Sequence, residues 1–295
     1  MKKIITGLVS LVINWEMVYK NHDTQGYKDI RMSQLTAITP QVFANKAWKR
    51  CTSYAFAAQA TILPVMVNEL VKLVPAVPLG FVQTEGGFQL VAITALQPGT
   101  NLFVAPDGRW LSAYVPATLR GYPFRLVKPK DLTDSILCFH ESSDLLVDAG
   151  MGEPFFDEAG QPSKAVQDVM KFLLQVERNR GVTQAAVDAL NAAGLIRPWP
   201  LNMKQGEQIV PVKGLYRIDE AALNSLDNEA FLPLRHSGAL PVAYAQLMSM
   251  NQLIMLEQLA QIQAKLQTQA STVVQNLAGL EGIGLSIDDE TLKFS

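Results

Sequence analysis

Gly80-Phe81-Val82-Gln83-Thr84-Glu85-Gly86-Gly87-Phe88-Gln89-Leu90-Val91-Ala92-Ile93 reads as two β-rich runs folded back on each other at Glu-Gly-Gly. Aromatic and β-branched side chains favour a pleated surface, and the glycines supply the backbone freedom of a tight reversal. Downstream, Gln97-Pro98-Gly99-Thr100-Asn101 breaks the chain before a third short run, Leu102-Phe103-Val104, and Asp107-Gly108 is a hairpin turn into Arg109-Trp110. Residues 80–127 are therefore expected as an antiparallel meander, with residues 136–141 and 144–148 adding a strand pair. Upstream, Tyr54-Ala55-Phe56-Ala57-Ala58 predicts a buried strand, and Val65, Met66, Leu70 and Leu73 a short helix that Pro75 stops.

After Gly160-Gln161-Pro162-Ser163 the period changes to that of a helix. Ser163 stands at an N-cap position, and Val166, Val169, Met170, Leu173, Leu174 and Val176 form one apolar stripe. A second helix is expected over residues 183–193, ended by Gly194. Ile209-Val210 and Gly214-Leu215-Tyr216-Arg217-Ile218 read as strands, and Asp219 as the cap of a short helix through Leu226. The fold class is α+β: an antiparallel β meander with flanking helices and a long C-terminal helix. The expected organisation is an N-terminal extension over 1–40, a body over 41–240, the helix over 241–280 and an acidic tail over 281–295.

That C-terminal helix is the most unusual part of the chain. Residues 239–280 hold eight glutamines but only Glu257 and Lys265 as charges. Met255, Leu259, Ile262, Leu266, Gln269 and Val273 are spaced 4, 3, 4, 3 and 4, a heptad seam. Leu253, Ile254, Leu256 and Ala260 broaden it beyond what a two-stranded coil needs. The reading is a helix that packs into something, another chain before its own domain, with Met255, Leu259, Ile262, Leu266 and Val273 as candidate oligomer contacts.

Across all 295 residues, 48% are hydrophobic and 18% charged, with a net charge of −2 and two cysteines. A core is affordable in apolar content, disorder is disfavoured, and so is nonspecific nucleic-acid binding. The near-neutral total hides a gradient. Residues 1–50 carry eight basic and three acidic side chains, whereas 281–295 carry Glu281, Asp288, Asp289 and Glu290 against Lys293. Opposite ends suit contact between subunits as well as within one chain. A disulfide framework is excluded by cysteine count, a single Cys51–Cys138 bridge is not.

Met1-Lys2-Lys3 and the apolar run from Ile4 to Ile13 resemble the start of a secretory signal, but Asn14-Trp15-Glu16-Met17 replaces the small-residue cleavage site. The run is read as structural, and it is too short to span a bilayer, which takes about 20 apolar residues. Residues 62–79 are interrupted by Asn68, Glu69, Lys72 and three prolines, so no membrane span is expected.

Several clusters could carry chemistry. In Cys138-Phe139-His140-Glu141, a strand would put Cys138 and His140 on one face and Glu141 on the other, which fits a buried thiol better than a converged nucleophile. Glu153 and Asp157 could act as an acid–base pair or hold a hard cation, but their Pro- and Gly-rich setting reads first as a solvated turn. No phosphate loop, nucleophile elbow or zinc-protease motif is present, and no cofactor or metal is expected. Arg109, Trp110, Tyr114, Arg120, Tyr122 and Arg125 form the candidate interface or ligand-binding segment, because aromatic and arginine side chains dominate contact hot spots.

The segments Tyr54–Ala58, Leu63-Pro64-Val65, Asn101-Leu102-Phe103-Val104, Asp107-Gly108-Arg109-Trp110 and Tyr114 to Phe124 resemble the SapC family of bacterial and phage proteins. Gly152-Glu153-Pro154-Phe155-Phe156-Asp157, Leu234-Arg235-His236-Ser237-Gly238 and Ala243–Ser249 continue the likeness, which covers about residues 40–255. The family is named for paracrystalline surface layers and is seen in phage genomes. The resemblance implies a non-enzymatic structural or assembly protein of a phage virion or bacterial surface layer. Its partners would be itself or other particle or surface proteins, its place the virion or cell surface with a cytoplasmic stage during assembly, or the cytoplasm alone. Two alternatives stay open: a soluble ligand- or glycan-binding accessory module, and an enzyme using Cys138 and His140 or Glu153 and Asp157.

Overall fold

The computed structural model describes residues 35–129, 134–205 and 207–281, with side chains of the last helix described to Leu266 and at Thr268. The apolar run at Ile4 to Ile13 and the acidic tail after Glu281 lie outside the described residues. In chain order the elements are β1 (Leu35–Ala37), α1 (Pro40–Phe43), β2 (Lys46–Trp48), β3 (Ile62–Pro64), α2 (Leu70–Leu73), β4 (Leu79–Thr84), β5 (Gly87–Ile93) and α3 (Ala117–Arg120). Then come β6 (Phe124–Val127), β7 (Ile136–His140), β8 (Leu146–Asp148), β9 (Glu153–Pro154), α4 (Lys164–Ala192), β10 (Ile196–Pro198), β11 (Leu201–Gln205) and β12 (Gln208–Val212). The chain continues through β13 (Leu215–Ile218), α5 (Glu220–Asn224), α6 (Asn228–His236), α7 (Ala239–Ser249) and α8 (Leu253–Glu281). The architecture is α+β, as the alternating and helical periods predict.

The β4–β5 hairpin is the centre of a five-stranded antiparallel sheet ordered β10-β13-β4-β5-β3, with Thr84 facing Gly87 across the turn. Its apolar residues, Leu79, Phe81, Leu90, Val91 and Ile93 among them, build the larger core with Leu63, Phe103, Val187, Leu190, Val242 and Leu259. A smaller core of Phe43, Trp48, Phe124, Phe139, Phe155 and Val166 lies between the sheets β1-β7-β6 and β8-β2-β9. Helix α4 spans both. Val166 sits in the small core, Ala186, Val187 and Leu190 in the large one, and its 29 residues extend about 43 Å.

Sequence and structure differ in several elements. Tyr54–Ala58 is not a strand but a 3-10 turn at Ala55–Ala57 in which only Ala57 is buried. The meander ends at β5. Asn101 accepts from the Phe103 amide and donates to the Ala57 carbonyl, turning the chain at Leu102 so that only one bridge, Val104 to Trp110, remains of the third strand. β6 joins β7 in a separate sheet. β7 and β8 both form but do not pair with each other; β8 lies against β2, with Lys46 on Asp148. Residues 164–192 are one helix rather than two, capped by Ser163 as expected.

The C-terminal helix is interrupted by a 3-10 turn at Met250–Gln252. Buried Ser249 donates to the Gln246 carbonyl while accepting from the Leu79 amide, which draws the last turn of α7 tight. Gln246, fully buried, accepts from the Ile218 amide and donates to the Leu79 carbonyl. Two of the low-charge polar residues of this segment therefore stitch α7 to the sheet.

Candidate functional site

The segment from Arg109 to Arg125 does not converge as one patch. Arg109 turns back on Asp107, whose carboxylate also accepts from the Arg109 amide, in the expected Asp-Gly turn. Gly108 is required there: its φ is +84°, and a Cβ would overlap the Ser53 hydroxyl. Arg125 lies on β6 opposite Cys138. Tyr122 stacks on Phe56 at 3.8 Å between ring centres and stands 5.9 Å from His140.

Tyr114 and Arg120 do meet, on a carboxylate that sequence reading passed over. Glu69 ends the 3-10 turn Val67–Glu69 and is 2% exposed. One of its oxygens accepts from the Met66 amide at 3.1 Å, half of a capping box. The other accepts from the Tyr114 hydroxyl at 2.9 Å and the Ala117 amide at 2.6 Å. Trp110 holds the loop from behind, its indole N–H donating to the Tyr114 carbonyl. The Arg120 guanidinium donates to the Tyr114 hydroxyl at 3.0 Å, lies 3.9 Å from Glu69, and rests 5.1 Å from the Phe172 ring centre. The Lys72 ammonium is 5.4 Å from the Tyr114 ring centre. Burial, then the hydrogen bond to Glu69, pushes the Tyr114 phenol up to about 12. The signal for Glu69 is an acid in an apolar stretch, which the sequence reading counts against a membrane span and, as Asn68-Glu69, toward the SapC resemblance, but not as a site residue.

The other candidates stand apart. Cys138 and His140 share β7, as their alternation predicts; burial pushes the Cys138 thiol up to about 11, so it is a thiol and not a thiolate at neutral pH. The Ser142 hydroxyl bonds His140 Nδ1 at 2.9 Å. Cys51 and Cys138 are both free, so the bridge left open by the sequence does not form. A thiol reagent is expected to take up one equivalent in the native protein, at half-buried Cys51, and two in denaturant; two rapid native equivalents would contradict this placement. Glu153 pairs with Arg50, while Asp157 accepts from the amides of Ala159 and Gln161 in its own turn. Among the described residues no group of three or more His, Cys, Asp or Glu could hold a metal ion, and no helix is long and apolar enough to cross a membrane.

The helix seam divides. Leu259, with Leu256, is buried in the large core, and Met255 packs on it, so these contacts belong to the chain itself rather than to a second copy. Gln263 donates to the carbonyls of Leu102 and Val104 at 3.1 and 2.6 Å, pinning α8 across that loop. Ile262 is exposed and Leu266 partly so; the Val273 side chain lies outside the described residues.

The SapC family profile matches residues 38–256, most of the chain and the whole of this geometry up to the second turn of α8. The chain belongs to the SapC family. No curated protein and no solved structure gives a significant match. In this SapC protein the Glu69 network, the Asp107-Gly108 turn, the smaller core, α7 and all of the larger core but Leu259 fall inside the matched span, whereas about the last seven turns of α8 fall outside it.

Proposed function

We propose that this SapC-family chain is a non-enzymatic structural or assembly protein, working through protein–protein contacts in a phage particle or a bacterial surface layer. The observation that carries the reading is α8. Among the described side chains none after Leu259 joins the core, yet the helix runs on from Gln263 to Glu281, about 27 Å further. In proteins most helical stability comes from packing of an apolar face rather than from propensity, which favours a partner for this extension. Tyr244 and Met248 on α7 and Ile254 and Ile262 on α8 add exposed apolar surface, Met248 at 65% and Ile254 at 63%. The protonated Cys138 thiol and the salt-bridged Glu153 favour structure over chemistry at the two sites considered for catalysis.

Truncation tests the reading. A chain ending at residue 266 keeps Leu256, Leu259 and Gln263, so it is expected to melt within a few degrees of the full chain but to lose its self-association by light scattering. Monomers only, from the full chain, together with its absence from purified particles, would overturn the proposal.

A further inference from the structure

Around Tyr114 the charges do not balance. Among the described residues Glu69 is the one carboxylate in contact, and its oxygens are already taken by the Met66 and Ala117 amides and the Tyr114 hydroxyl at 2.6–3.1 Å. Arg120 stands 3.9 Å off, outside hydrogen-bond distance, and spends one N–H on the Tyr114 hydroxyl. Four of its five guanidinium donors, and all three of the exposed Lys72 ammonium, have no hydrogen-bond acceptor among the described residues. The guanidinium is nevertheless held in place, by the phenol on one side and the Phe172 ring on the other. Such an arginine has lost its rotamer freedom in advance, so a ligand that uses it gives up little entropy.

The chemistry of the ligand follows from the charge and the neighbours. Two cations against one carboxylate leave a local excess of a single positive charge, and the planar fork of Arg120 matches a carboxylate bidentately. Beside Lys72, Val71 is 88% exposed, which gives an apolar contact that a free ion cannot use but a polypeptide can. We infer that Lys72, Tyr114 and Arg120 form a recognition site for a carboxylate-bearing segment of a partner polypeptide. The inference goes beyond the assembly role of α8 and uses different side chains, so either can fail while the other stands.

Calorimetric titration of the full chain with hexaglutamate is the direct test. Saturable binding that weakens as salt rises is expected, with about a tenfold loss in Arg120→Gln and in Lys72→Gln and none in the control Arg197→Gln. Arg120→Lys, which keeps the charge but not the fork, should recover only part of the affinity, and melting curves confirm that each variant is folded. No saturable binding, equal binding by wild type and Arg120→Gln, or tighter binding of tripolyphosphate than of hexaglutamate would each overturn the inference.

Discussion

Phe139→Ala is expected to destabilise the protein by about 4 kcal/mol, the largest loss of any single core truncation in the smaller core. Phe139 is fully buried on β7, with ring centres at 5.1 Å from Phe124, 5.2 Å from Phe155 and 6.1 Å from Phe43, each close to edge-to-face. Alanine removes a whole ring from the middle of three others. The transfer term and the cavity term therefore add, and each lost aromatic pair contributes about 0.5–1.5 kcal/mol beyond its area. The neighbours cannot close the gap easily, because Phe124 is fixed by β6, Phe155 by β9 and the bridge beyond it, and Phe43 by α1. Urea unfolding measures the loss. Ile209→Ala, on the β11–β12 ribbon and 75% exposed, should stay within about 0.5 kcal/mol of wild type. Equal effects of the two would mean that this aromatic cluster is not a core.

Much of that framework was legible because single residues dictate it. Asp107-Gly108, Ser163, Gly194 and Asp219 all stand at the turn or helix end their chemistry demands. The hairpin at Gly87 and the strands β12 and β13 follow from the same reasoning. What escaped depended on distant partners. Thr183 begins the stretch that reads as a second helix, two residues after Gly181, but a glycine in a helix interior costs only about 1 kcal/mol, and burial of Val176, Thr183, Val187 and Leu190 on both sides carries α4 through it. Asn101 diverts a strand by bonding Ala57, 44 residues away. The seam of α8 kept its period, yet periodicity does not say which body a face is buried against; Leu259 and Gln263 answer that only in three dimensions. Likewise Tyr114 and Arg120 were visible as residue types, while their meeting on Glu69 spans 45 positions and has no local pattern.

That meeting point is the site of the second large effect. Glu69→Ala is expected to cost about 3–5 kcal/mol, because it strands three donors at once: the Met66 and Ala117 amides and the Tyr114 hydroxyl. The two amides are buried and cannot all regain water, so the loss exceeds that of one hydrogen bond. Glu69→Gln keeps an acceptor for Tyr114 and Ala117 but turns an amide toward the Met66 N–H, and about 1–3 kcal/mol is expected. Tyr114→Phe removes one donor and leaves the carboxylate its two amides, so it should be the mildest of the three. The titration of the phenol reports the same contact independently. Its folded pKa, about 12, lies above the ordinary value of 10.0, so the stabilisation it represents is complete below about pH 10 and is lost as pH rises through 12. Alkaline absorbance should show a phenolate near pH 12, distinct from those of Tyr54 and Tyr122, whose phenols burial also raises, that disappears in Tyr114→Phe and moves to lower pH in Glu69→Gln, as the negative charge beside it is removed. Urea unfolding of the two single variants and of the double variant closes the cycle: their effects should be non-additive, since both remove the same hydrogen bond. Strict additivity, with the late phenolate unmoved, would separate Glu69 from Tyr114 and with it the anchor that fixes the loop carrying Arg120.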